Sequence, residues 1–348
     1  MKQKKGRSLL IRLVQLAVLA GIFYLVFHKN YRQILADLQS VGLAGLAVLL
    51  ALGGGIHLLE GLALHRMAAP RLAHFSLGQA VTLSYIGIFA NITTCGTGTF
   101  PLQGYYLHRC GMMMGEGLGT ILVSYTLHKT MVLATAAGLW LLAGPVLGDG
   151  FLVHCVTLGF CLSLVIVAAL LLSCTFEPLH RLIRRLLLRL PDTPQWESWR
   201  QSLLENLDAL DAGAQQLLHT PADLLATVAI HAAKLLWMAG ATVVCLHLLQ
   251  IPGLTPAAAM ALTALSLVVA GVLPSVGGMG PTELAFLLLF TPWVGSAQAS
   301  SLMILFRCAT CFLPFLVSVP VAGRLARQLR ASRARQAAAA PAPAQASQ

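Results

Sequence analysis

The chain has 348 residues, of which 57% are hydrophobic and only 10% charged, with a mean hydropathy of +0.78. A water-facing domain of this size needs roughly a quarter charged residues to cover its surface, so a soluble globule is excluded. The formal net charge of +11 arises from 23 Lys and Arg against 12 Asp and Glu, but its distribution argues against a nucleic-acid partner. Lys2, Lys4, Lys5, Arg7 and Arg12 sit at the N-terminus, and Arg324, Arg327, Arg330, Arg333 and Arg335 follow the last apolar run. Basic flanks of this kind follow the positive-inside rule and favour anionic lipid surfaces.

Apolar runs at 9–27, 41–64, 77–93, 116–143, 151–174, 223–249, 256–273 and 299–323 have lengths suited to a hydrocarbon core of roughly 30 Å. The first has the basic flank of a signal peptide. It is followed by His28-Lys29-Asn30 instead of a small-residue cleavage site, and is read as a retained helix. A short amphipathic piece, 31–39, separates the first two runs. The sizeable polar interruption is 175–222. There Arg181, Arg184, Arg185 and Arg189 share one helical face with leucines opposite, the pattern of a helix on the headgroup surface. With the amphipathic stretch 201–218 it forms a surface hairpin. The Ala- and Pro-rich tail 336–348 is expected to be disordered. Residues 1–335 are thus expected to make a single polytopic membrane domain.

Two stretches fit none of these categories: Thr93 to Gly104, which holds Gly96, Gly98 and Pro101, and Pro274 to Glu283, which holds Gly277, Gly278, Gly280 and Pro281. Each is followed by a half-length apolar segment (105–114 and 284–294) and then a full span. Gly and Pro free the backbone from helical bonding, which at membrane depth requires protein or a wet cavity to supply partners. Paired broken segments in two halves of a chain point to a transporter's substrate site. The expected fold is therefore all-α, a polytopic helix bundle of about eight spans plus two broken or re-entrant segments in a two-half pseudo-repeat. If the first broken segment crosses, the halves are inverted and the Arg-rich hairpin lies on the cytoplasmic side; if it re-enters, the halves are parallel.

Ionisable side chains inside spans cost roughly 2.5–3.5 kcal/mol each on insertion scales and mark pathways or partners. Here they are His57 and Glu60 on the second span, His128 and Lys129 on the fourth, His231 and Lys234 on the sixth, Glu283 at the second broken loop and Arg307 in the last span. Snorkelling or simple pairing is the bland alternative for any one of them. Lys129, Lys234 and Arg307 outnumber Glu60 and Glu283, so a cavity holding all five, with Gly-rich backbone, suits an anionic headgroup. Asn91, Gln103 and the loop residues Gly96, Gly98, Pro274, Gly277, Gly278 and Gly280 complete the expected substrate-binding set. No catalytic motif, metal-ligand spacing or cofactor fingerprint is present. Of the eight cysteines, Cys308 and Cys311 form a C-x-x-C without a second pair, and are read as small apolar filling.

At the two broken loops the sequence resembles the transmembrane region of bacterial lysylphosphatidylglycerol synthases, a group of flippase-like membrane proteins that includes stand-alone members. Leu273 to Glu283, then Ala299 to Arg307, follow that family's LPS-x-GG-x-G-x-x-E … A … R layout. In the first half Asn91, Gly96, Gly98 and Tyr105 to Gly111 match, ahead of a small-residue helix entering at Glu116. Thr93-Thr94 stands where the family often has Pro-Gly, and Gln103 and His128-Lys129 stand near family arginines. The resemblance implies translocation of a membrane lipid between leaflets of a bacterial inner membrane, with no attached synthase activity in this chain. A membrane-embedded transferase acting on a lipid carrier, or a non-catalytic partner of a lipid-synthesis enzyme, are the alternatives.

Overall fold

The structure is a computed structural model that describes residues 31–143, 147, 150–175, isolated positions between 181 and 204, 220–273, 275 and 279–339. In chain order the helices are α1 (Tyr31–Ser40), α2 (Gly42–Ala68, prolonged by a tight turn over Ala69–Arg71), α3 (Leu77–Thr93), α4 (Thr99–Arg109), α5 (Met114–Ala143) and α6 (Gly150–Thr175). They continue with α7 (Pro221–Leu248), α8 (Pro256–Val272), α9 (Pro281–Val294), α10 (Ser296–Arg307), a wide π turn (Cys308–Phe312) and α11 (Leu313–Ala339). The protein is an all-α, multi-pass membrane bundle. The span expected at 9–27, most of the 175–222 hairpin and the end of the tail lie outside the described residues.

Among the described residues, five helical stretches are long and apolar enough to cross a bilayer: Gly42–Arg71, Met114–Ala143, Gly150–Leu172, Pro221–Leu248 and Ser296–Gln328. The expected spans at 77–93 and 256–273 are real helices, α3 and α8, but each has 17 residues. At 1.5 Å per residue they reach about 25 Å, short of the roughly 30 Å core. The all-α bundle expected from the sequence therefore combines long membrane-crossing helices with shorter apolar ones.

The helix starts follow from local chemistry. Ser76 and Gln79 form a reciprocal capping box at α3, with Gln79 N donating to Ser76 Oγ at 3.3 Å and Ser76 N donating to Gln79 Oε1 at 2.8 Å. Thr255 Oγ1 accepts from Ala258 N at the start of α8. Pro221, Pro256 and Pro281 each occupy the first turn of a helix, where the missing N–H costs nothing.

Helix lengths make the two-half layout visible. The series α2, α3, α4, α5 has 27, 17, 11 and 30 residues, and α7, α8, α9 has 28, 17 and 14 before the 33-residue stretch Ser296–Gln328. Packing repeats the same relation. α2 lies against α7, while the last long helix of each half packs on the 17-residue helix of the other: α5 on α8 and α11 on α3. Close approach at the centre depends on small residues. A Cβ on Gly53 of α2 would stand 2.4 Å from the Ala309 carbonyl oxygen in the π turn, so only glycine fits there. Trp237 Nε1 ties α7 to α2 by donating to the Leu52 carbonyl at 3.0 Å.

Candidate functional site

One cavity of about 480 Å³ lies among α2, α3, α4, α5 and α7. Its polar side chains recur at helical spacing, so each helix turns one polar stripe toward it. α2 contributes His57 and Glu60, α3 contributes Ser84, Gly87 and Asn91, and α5 contributes Ser124, Tyr125 and His128. Thr99 and Gln103 come from α4, Lys234 from α7, and Gly96 from the break between α3 and α4. Ile56, Leu64, Ile88, Phe100, Ile121 and Met238 supply the apolar remainder. His57, Ser84, His128 and Lys234 each stand near the midpoint of their helices, while Asn91, Gly96 and Thr99 border the cavity at the break between α3 and α4.

An ion pair holds the cavity's side facing α7. Lys234 Nζ donates to Glu60 Oε2 at 2.5 Å, and the lysine side chain is 8% exposed. His57 Nδ1 shares a 2.7 Å hydrogen bond with Ser84 Oγ, and the imidazole stacks on Tyr85 at 4.5 Å. Gln103 Nε2 donates to the Leu83 carbonyl at 3.2 Å, joining α4 to α3. That bond passes directly over Gly87, where a Cβ would lie 2.4 Å from Gln103 Nε2. Four buried polar atoms of the lining have no hydrogen-bond partner among the described residues: His57 Nε2, Thr99 Oγ1, Ser124 Oγ and His128 Nδ1. Buried polar groups are nearly always satisfied; these four, carried by α2, α4 and α5 around the cavity, are not.

The expected site residues divide into groups. Glu60, Asn91, Gly96, Gln103, His128 and Lys234 meet at the cavity, and Gly98 caps α4 beside it. His231 is fully buried one turn from Lys234, with its ring centroid 5.9 Å from that of His128. Both of its nitrogens are unpartnered among the described residues. Lys129 points elsewhere: its Nζ lies 5.6 Å from the Tyr125 ring centroid and close to Gly271 at the end of α8. There it meets the negative end of the helix dipole.

Glu283 and Arg307 stand apart from the cavity as a buried pair of their own, 2.7 Å from Oε1 to Nε. Glu283 Oε2 also accepts from Gly280 N at 2.6 Å, which closes the start of α9. Phe286, Phe290 and Phe306 stack beside it, with centroids 4.1 and 5.3 Å apart, and fill the space. Pro274, Gly277 and Gly278 lie outside the described residues. The sequence placed all five intramembrane charges in one cavity; the structure puts one cation and one carboxylate there.

The first broken segment is also shorter than expected. α4 begins at Thr99, inside the stretch read as broken to Gly104, and the break is confined to 94–98. Pro101 falls in the first turn of α4, where it needs no N–H partner. Thr94 supports the break by accepting from Gly98 N at 2.7 Å while donating to the Ala90 carbonyl. Ser84, Thr99, Ser124 and Tyr125 were not among the expected site residues. A Ser or Thr in a span commonly bonds its own backbone, and the signal that sets these apart is spacing: Ser84 with Gly87 and Asn91, and Ser124 with His128.

The family model described as lysylphosphatidylglycerol synthase TM region matches residues 12–318. No curated protein and no solved structure matches the chain.

Proposed function

The chain belongs to the lysylphosphatidylglycerol synthase transmembrane-region family, and from that premise we propose that it takes a membrane lipid by its headgroup into the α2–α5 and α7 cavity and carries it between leaflets. The observation that supports this reading is a cavity inside an apolar bundle bordered by residues whose buried polar atoms, on His57, Thr99, Ser124 and His128, have no partners among the described residues. A headgroup crossing the hydrocarbon core loses its water, at several kcal/mol for each unsatisfied group. A mid-bundle wall of hydroxyl, imidazole, amide and carboxylate groups replaces that water. The apolar lining beside it, Ile88, Phe100, Ile121 and Met238, suits the acyl chains that follow. The break at 94–98 edges the same cavity and offers backbone that can rearrange as lipid enters. A bacterial inner membrane is the setting this reading assumes, with an enzyme of lipid synthesis supplying the lipid.

The test is reconstitution into liposomes with fluorescent lipids, following loss of outer-leaflet signal after a membrane-impermeant quencher. Protein-containing vesicles should expose inner-leaflet lipid faster than empty ones. His57→Ala and Ser124→Ala, checked for unchanged size-exclusion profiles, should slow that exposure. Equal rates with and without protein for every headgroup tried would count against translocation. A change in the lipid's mass would turn the reading toward a transferase.

A further inference from the structure

Resting on the lipid-handling reading, we infer that the cavity selects a headgroup that is electrically neutral and rich in hydroxyls, such as a sugar or polyol, over a phosphate monoester or another anionic group. The charge balance of the wall is the first ground. Among the described residues Lys234 is the one Lys or Arg of the lining, and its ammonium is already joined to Glu60 at 2.5 Å. Arg307 is joined to Glu283 outside the cavity, and Lys129, with its Nζ 5.6 Å from the Tyr125 ring centroid, is not among the residues that line it. A phosphate entering here has to draw Lys234 off its carboxylate or sit unpaired beside Glu60. Both are costly in a low-dielectric site. A further buried cation beside Lys234 would itself lack a counter-charge, so the imidazoles count as neutral rings, each with one donor and one acceptor.

The second ground is what remains to be satisfied. His57 is 8% exposed and Ser124 3% exposed; both residues border the cavity, and their buried Nε2 and Oγ atoms have no partners among the described residues. Thr99 Oγ1 and His128 Nδ1 join them. These are neutral groups on three different helices that can donate or accept, matching hydroxyls, which also do both. Phe100 and Tyr125 meet edge to face at 5.5 Å, and Tyr125 is 37% exposed. Aromatic surface at the rim complements the C–H face of a sugar ring. A volume near 480 Å³ lies within the roughly 300–1,000 Å³ of small-molecule sites.

The full chain in detergent is incubated with lipids of identical acyl chains: a monohexosyl diacylglycerol, phosphatidylethanolamine, phosphatidylglycerol and phosphatidic acid. Retention is read by native mass spectrometry in pairwise competition. The glycolipid should be retained at least about tenfold over phosphatidic acid and ahead of the other two. Ser124→Ala and Thr99→Val should each lower glycolipid retention roughly 3- to 10-fold, the loss of one hydrogen bond, without raising that of phosphatidic acid. Glu60→Gln frees the lysine charge and should reverse the order toward phosphatidic acid. A wild-type preference for any of the three phospholipids overturns the inference while leaving the lipid-handling reading standing. Retention of none of the four overturns that reading and the inference with it.

Discussion

Removing Lys234 alone should destabilise the protein far more than removing it together with its partner. At 2.5 Å and an effective dielectric constant of about 20, the Glu60–Lys234 attraction is ~7 kcal/mol. Withdrawing both ions from water costs several kcal/mol each, so the intact pair is close to break-even. A lone buried charge has no such compensation, and breaking a buried pair typically costs about 3–5 kcal/mol. Lys234→Met leaves Glu60 facing the cavity, and because its side chain is 26% exposed the expected loss is near the lower end, about 3 kcal/mol. Glu60→Gln with Lys234→Met removes both charges and should recover most of that loss. Reversible unfolding in mixed micelles with increasing denaturing detergent measures both, and a double-mutant cycle with Glu60→Gln isolates the coupling. A Lys234→Met protein within 1 kcal/mol of wild type, or a double variant no better than the worse single one, would refute the pairing.

Close packing and capping give two further expectations. Gly53→Ala drives a methyl into the Ala309 carbonyl oxygen, a backbone atom that cannot swing aside, whereas Gly87→Ala meets the flexible end of Gln103. The first should cost about 1–3 kcal/mol and the second less, but Gly87→Ala displaces the Gln103–Leu83 hydrogen bond and should reduce lipid retention; unfolding and retention measured on both variants separate the two effects. Ser76→Ala removes the capping box of α3 and should lower stability by about 1 kcal/mol in the same unfolding assay, while leaving the order of lipid preference unchanged.

Features set by local pattern were legible in the chain before any packing was known. Hydropathy and run length marked the membrane helices, because a segment in hydrocarbon must be apolar and satisfy its own backbone. α3 begins at Leu77 and ends at Thr93 where the apolar run does. The intramembrane charges announced themselves because each is costly wherever it sits. The ends of α4 were misjudged because Pro101 and Gly98 read as breakers, and only the helix register shows that one falls in a first turn and the other at a cap.

Pairing was a matter for the tertiary structure alone. Glu60 and Lys234 are 174 positions apart in the chain, and nothing in either neighbourhood names the other. The same carboxylate count and the same cation count could have produced a positively charged cavity. Instead, the packing of α7 on α2 brings Lys234 to Glu60, that of α10 against α9 brings Arg307 to Glu283, and α5 turns Lys129 toward the end of α8. The sequence determined that charge would be buried in this membrane bundle, since burial follows from the length and apolarity of each span. Which charges cancel, and hence what the cavity can hold, was decided by helix packing, because electrostatic energy depends on distances between side chains that only the assembled bundle defines.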